Sequence, residues 1–271
     1  MNPAALADGF CFGEGPRWFE GMLWFSDMLG EAIHTITLDG SMTTVPMVGH
    51  APSGLGFRPD GSLLINSTAR RQVLRYDGDG ITICADLSGL VPADLGDMVV
   101  DEYGRAYLGS QAREGGVIVR LDPDDTATVV ADDLDFPNGM VITPERRLIV
   151  AESTGRRLTS YRISDDGSLD DRQVFAAGLD GPPDGITLDD EGGVWTSMTL
   201  ACQFQRIVAG GTVTDRIDLG DRTAIACTLG GPERNVLFLL SSTDAYPQRL
   251  LGTKLSRVDT VTVVNPGAGW P

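Results

Sequence analysis

Three strings in the 271-residue chain set an oxygen-bearing side chain directly before a glycine: Glu14-Gly15-Pro16, Asn138-Gly139-Met140 and Asp184-Gly185-Ile186. Each stands 10 or 11 residues ahead of the centre of a short apolar run, at Trp24, Ile149 and Trp195. Two carboxylates and an amide oxygen gathered away from bulk water repel one another and stay poorly solvated unless a cation sits among them. An all-oxygen set without His or Cys suits one hard divalent ion, Ca²⁺ foremost and Mg²⁺ or Mn²⁺ next, with Zn²⁺ as the remaining candidate. Asn-Gly and Asp-Gly are also ordinary hairpin-turn pairs. What separates the two is whether the chain brings all three strings to one place.

The apolar runs belong to a repeat. They begin at Leu23, Leu63, Ala106, Leu148, Val194 and Leu237, at a period close to 43 residues. Two positions before each run stands Gly21, Gly61, Gly104, Arg146, Gly192 or Asn235, and glycine and asparagine are the residues that best tolerate positive φ. Alternating segments follow, such as Ile33 to Leu38, Met42 to Val48, Gln72 to Tyr76 and Ile81 to Leu87, with Asp39-Gly40 and Asp77-Gly78 as turns. A repeat is therefore about four strands, and no long stretch has helical periodicity. Sheets of this size, six in number, bury their faces only by packing around an axis. The expected fold is all-β: one domain, residues 1–271, forming a six-bladed β-propeller of four-stranded antiparallel blades around a central channel. Val258 to Val264 and the N-terminal Ala4 to Ala7 are the candidates for closing the ring, since an open ring leaves two exposed edges.

The first strand of each blade lines the channel. One repeat position then forms a ring near one mouth: Glu14, Ser53, Gly96, Asn138, Asp184 and Ala226. The expected metal ligands Glu14, Asn138 and Asp184 fall on it in common phase.

Composition narrows the partner. Lys and Arg number 21 against 38 Asp and Glu, a net charge of −17, which argues against nucleic acid or an anionic membrane surface. A small molecule or metal ion fits better. The longest apolar run, Val236 to Leu240, has the length of a strand and falls far short of the roughly 20 residues of a membrane span. Residues Met1 to Phe10 carry neither a basic start nor an apolar signal segment, so a cytoplasmic location is expected. Cys11, Cys84, Cys202 and Cys227 are widely spaced and read as buried thiols. Only His34 and His50 are present, which restricts serine-hydrolase chemistry. His34 reads as structural. His50 precedes Ser53 near the inferred mouth, but no nucleophile-elbow sequence surrounds Ser53, so both are expected to line the substrate pocket.

At these residues the chain resembles the senescence marker protein (regucalcin) and gluconolactonase family of six-bladed propellers, as a bacterial-type member. The resemblance rests on Glu14-Gly15-Pro16-Arg17-Trp18, Ser26-Asp27, Pro52-Ser53-Gly54-Leu55-Gly56, Asp97-Met98-Val99-Val100-Asp101, Phe136-Pro137-Asn138-Gly139-Met140, Pro182-Pro183-Asp184-Gly185-Ile186 and Pro266-Gly267-Ala268-Gly269, in order along nearly the whole chain. It implies one divalent cation on Glu14, Asn138 and Asp184. It also implies hydrolysis of a small-molecule lactone or related ester, with the metal polarising the carbonyl and Asp184 activating water. The chain departs from the family at Gly96, where an Asn is usual and an Arg often precedes it, and at Thr196-Ser197-Met198-Thr199, where relatives carry a more polar segment. Gly96 implies a wider pocket or a different substrate, and Asp97 is the polar residue left there to contact substrate or support the site. A non-hydrolytic isomerase or cyclase of the strictosidine-synthase-like kind, or a metal-stabilised binding propeller, are the alternatives on the same scaffold. Pocket shape is expected to depend on the loops Ser110 to Gly116 and Thr199 to Phe204.

Overall fold

Each of the six apolar runs forms the second strand of a four-stranded antiparallel sheet, and the six sheets make a six-bladed β-propeller. The computed structural model describes residues 2–269. Met1, Trp270 and Pro271 of the expected domain lie outside the described residues. The innermost strands are Gly13–Phe19, Pro52–Phe57, Leu95–Val100, Pro137–Ile142, Pro183–Leu188 and Thr223–Gly230, in blades 1 to 6. Burial falls outward within a blade. In blade 2, Pro52–Phe57 and Leu63–Ser67 are buried throughout, whereas the outermost strand Ile81–Asp86 is mostly exposed.

Ring closure joins the chain ends as the edge argument requires. The N-terminal strand Ala4–Phe10 pairs antiparallel with Ser256–Thr262 and is the outer strand of blade 6. Neighbouring blades lock through aromatic side chains of the inner strand of blade 1. Phe19 stacks on Phe57 of blade 2 with centroids 3.8 Å apart, and Trp18 stacks on Phe238 of blade 6 at 5.3 Å. Full burial of side chains of this size stabilises by roughly 1.5–3 kcal/mol each.

The turn leading into each second strand holds a residue in the left-handed region: Gly21, Gly61, Gly104, Arg146 and Gly192. In blade 6 it is Arg234, at φ 56°, and not the expected Asn235. The strand there begins at Val236, two residues after Arg234, as the second strand of blade 2 begins at Leu63, two after Gly61. Among the described residues the helical content is two three-residue turns, Thr199–Ala201 and Pro247–Arg249, and no helix is long and apolar enough to cross a membrane. All four cysteines are free thiols; Cys227 is buried, while Cys11, Cys84 and Cys202 are only partly covered, in contrast to the expectation for all four.

Candidate active site at one mouth of the channel

The ring positions sit on a repeated irregularity. In blades 1 to 5 the pairing of first and second strands slips at the ring residue, between Glu14 and Arg17, Pro52 and Leu55, Leu95 and Met98, Pro137 and Met140, and Pro183 and Ile186. A bulge of this kind re-aims side chains and is common beside active sites. It also brings adjacent inner strands close together. A Cβ on Gly15 would lie 2.5 Å from Ser53 O, one on Gly139 the same distance from Asp184 O, and one on Gly54 2.7 Å from Gly96 O, so these positions accept only glycine. In blade 6 the slip falls between Ala224 and Ala226, and the carbonyl of Ile225 approaches Gly185 as that of Asp184 approaches Gly139. The sixth ring member is thus Ile225, one residue earlier than the expected Ala226.

Asn138 and Asp184 meet directly: Asn138 Nδ2 donates to Asp184 Oδ1, and also to Ser153 Oγ at 3.3 Å. Asn138 Oδ1 accepts from Gln111 Nε2 at 3.2 Å. The Glu14 carboxylate accepts one weak hydrogen bond, from Gly15 N at 3.3 Å, while its backbone carbonyl accepts from Ser26 Oγ at 3.1 Å. Ser26 and Ser153 tie the ring together beneath the side chains. Ser26 Oγ donates to Ser53 O at 2.6 Å, and Ser153 Oγ to Pro183 O at 2.6 Å. Asp97, the third carboxylate of the group, is committed elsewhere: Arg17 crosses from blade 1 to reach its Oδ1 at 2.9 Å and also donates to Met98 O, while Met98 N donates to Asp97 at 2.8 Å.

The electrostatics follow. Burial lifts the Glu14 carboxyl well above the ordinary range, and the charges of Asp184 and Asp97 lift it further against a small opposing pull from Gly15 N–H and Arg17. Burial and Asp97 push Asp184 up to about 7, opposed only by the Asn138 amide. Neither carboxylate has a cationic side chain against it. That donor set, two uncompensated carboxylates beside an amide with few hydrogen bonds among them, fits a hard divalent ion held by Glu14, Asn138 and Asp184. Among the described residues no group of three or more His, Cys, Asp or Glu side chains is placed to hold a metal ion.

Ser53 and His50 do not form a pair. Ser53 Oγ donates to Gly96 O at 3.3 Å, and His50 Nδ1 lies 3.3 Å from Ser67 Oγ, whose hydroxyl donates to His50 O. Burial and Arg70 hold the His50 imidazole below its ordinary pKa. His34 takes the structural place expected of it, 3.0 Å from Thr44 Oγ1 and packed against Phe10 and Phe25. Sequence reasoning did not single out Arg17, Gln111 or Ser153. Arg17 carries a signal, an arginine three residues after Glu14 in a channel-lining strand whose remaining residues are Gly, Pro and aromatic. Gln111 carries none except its place in the loop Ser110 to Gly116.

The other end of the channel differs in character. Beyond the Arg17–Asp97 pair lies a cavity of about 240 Å³ lined by the far ends of the inner strands, among them Val100, Ile142, Leu188 and Leu229, together with Tyr103 and Arg234. Its lining mixes apolar side chains with charged ones, Asp101, Glu102 and Arg146 among them, and it holds none of the candidate ligands.

A six-bladed propeller with an acidic and amide-bearing site at one mouth of its channel is the class of protein that fold and site define. Residues 12–243 match the family model described as the SMP-30/Gluconolactonase/LRE-like region, and the chain belongs to that family. A 6-deoxy-6-sulfogluconolactonase of Pseudomonas putida is 29% identical, over 96% of this chain and 94% of its own length. A pentonolactonase of Haloferax volcanii is 27% identical, over 89% and 86%. The solved structure of a calcium-binding protein, regucalcin, of Agrobacterium tumefaciens superposes with a TM-score of 0.81, covering all of this chain and 98% of that one at 19% identity.

Proposed function

We propose that the chain hydrolyses a lactone or related ester at the mouth formed by Glu14, Asn138 and Asp184, with one divalent cation, Ca²⁺ foremost, held by these three residues. The observation that carries this is a pair of half-buried carboxylates with no cationic partner in contact, in phase with Asn138. Membership of the family and the lactonase names of the relatives support the reaction class. When bound, such an ion supplies Lewis-acid polarisation of the ester carbonyl and charge for its developing oxyanion.

The chain's own groups do the proton work. Asp184 takes a proton from water as the water oxygen bonds to the carbonyl carbon, then returns it to the alkoxide oxygen as the ring C–O bond breaks. Asn138 N–H fixes which oxygen of this carboxylate faces its neighbours. Burial lifts the Asp97 carboxyl above its ordinary range, and Arg17, which opposes that lift, stands between the site and the cavity at the other end of the channel. Ser53 and His50 line the approach.

The test is hydrolysis of a panel of lactones and aryl esters by chelator-stripped protein, with Ca²⁺, Mg²⁺, Mn²⁺ and Zn²⁺ added back singly. Turnover restored by a divalent ion is the expected outcome. Tight uptake of an ion with no turnover on any ester contradicts it and favours an isomerase, a cyclase or a binding propeller.

A further inference from the structure

Gly96 and Gln111 fit each other too closely for either to be incidental. A Cβ built on Gly96 would stand 2.3 Å from Gln111 Nε2, 2.5 Å from its Cδ and 2.8 Å from its Cγ. The side chain of Gln111 therefore occupies the space that any larger residue at 96 would claim. Neither backbone can retreat. Gly96 O is pinned from blade 2 by Asn66 Nδ2 at 2.8 Å and Ser53 Oγ at 3.3 Å, and Gln111 N donates to Asp94 O at 2.8 Å. From that space the Gln111 amide reaches Asn138 Oδ1 at 3.2 Å. A line of hydrogen bonds then runs from Gln111 through Asn138 to Asp184.

We propose that Gln111 is a positioning residue of the cation site: admitted by Gly96, it holds the Asn138 amide in place beside Asp184. This rests on the function proposed above. An amide oxygen has two lone pairs, so Asn138 Oδ1 can accept from Gln111 and keep one for an ion. With the donor removed, the Asn138 amide keeps only the bonds of its Nδ2 to Asp184 and Ser153, and its oxygen is no longer held by a partner when an ion binds. Loss of a group that orients a ligand typically costs about 10- to 100-fold in metal affinity.

The experiment is a double-mutant cycle on full-length, chelator-stripped protein, read by calorimetric titration with Ca²⁺ and Mn²⁺. Gly96→Ala drives Gln111 from its place and Gln111→Ala removes it. Each is expected to weaken uptake by about tenfold, and the double variant to be no weaker than either single one. Gln111→Met keeps the length of the side chain and loses the N–H donor. It is expected to match Gln111→Ala in affinity while retaining the thermal midpoint of the unaltered protein. Effects that add across the cycle, or a Gln111→Met variant that binds as tightly as the unaltered protein, overturn the proposal and leave the proposed function standing. If the unaltered protein takes up neither ion, the proposed function itself fails, and the positioning role with it.

Discussion

Two sets of inward-placed carboxylates in this propeller, one fully buried and one half-buried, are treated in opposite ways. Glu152, in the second strand of blade 4 and fully buried, is surrounded by donors: Arg157 reaches both oxygens at 2.9 and 2.5 Å, Asp135 N donates at 2.8 Å, and Thr159 donates its hydroxyl. Those donors outweigh the burial, the largest single influence, and hold its carboxyl below the ordinary range. Asp189 in blade 5 is held by Arg206 at 2.6 and 3.0 Å and by the N–H groups of Glu191 and Gly193. Glu14 and Asp184 have no arginine and between them one backbone N–H and one amide, so burial dominates and both are shifted up. A fold that saturates its structural carboxylates with donors has left these two short of them. The deficit is what an ion would fill.

The comparison can be broken in several ways. The largest effect is expected from Asp184→Asn, which removes the base while keeping the shape. Turnover on the best lactone is expected to fall by about 10²- to 10⁴-fold with the fold intact by circular dichroism; retained activity contradicts the assignment. Glu152→Ala should do the reverse, leaving Arg157 and Arg172 without their buried partner. Breaking such a pair costs about 3–5 kcal/mol, so the thermal midpoint should drop by roughly 6–20 °C while kcat/KM of the folded protein at low temperature is unchanged.

The pH dependence sharpens the contrast. Asp184 binds its proton more tightly folded than unfolded, so its favourable contribution is full below about pH 4 and is lost as pH rises through about 7. Asp184→Asn escapes that loss. Without divalent ions, the midpoint of Asp184→Asn relative to the unaltered protein should therefore rise between pH 4 and 7. Glu152 has the opposite sign, with stability present above its ordinary pKa and lost as pH falls. Glu152→Gln should accordingly lose its disadvantage on acidification. Parallel pH profiles for the two variants would contradict the distinction. The smallest effect is expected at Gly21, where a Cβ meets nothing within 4 Å and the only cost is a φ of +78°. Gly21→Ala should cost about 1–2 kcal/mol in denaturant melts and leave cation uptake untouched.

Much of this arrangement was legible in the sequence because a propeller repeats. The 43-residue period placed all six second strands, and the common phase of Glu14, Asn138 and Asp184 selected residues that the fold does bring to one mouth. The pairing of Ala4–Phe10 with Ser256–Thr262 followed from the need to cover two edges. Periodicity fails where the backbone does. The bulge in blade 6 falls one residue away from its phase in the other blades, which exchanges Ile225 for Ala226. Gln111 and Arg17 act across blades, one from a loop and one through the channel, and no spacing along the chain encodes such a contact. The match between Gly96 and Gln111 is of that kind: either residue alone is unremarkable, and only their distance gives them meaning.

The most direct test of the central claim is calorimetric titration of the stripped protein with Ca²⁺ at pH 5 and pH 8, in buffers of different ionisation enthalpy. A single site that binds more tightly at pH 8, and releases protons when filled at pH 5, is the predicted result, because the ion must displace protons held by Glu14 and Asp184. Binding that is absent, or equally tight at both pH values without proton release, would contradict it.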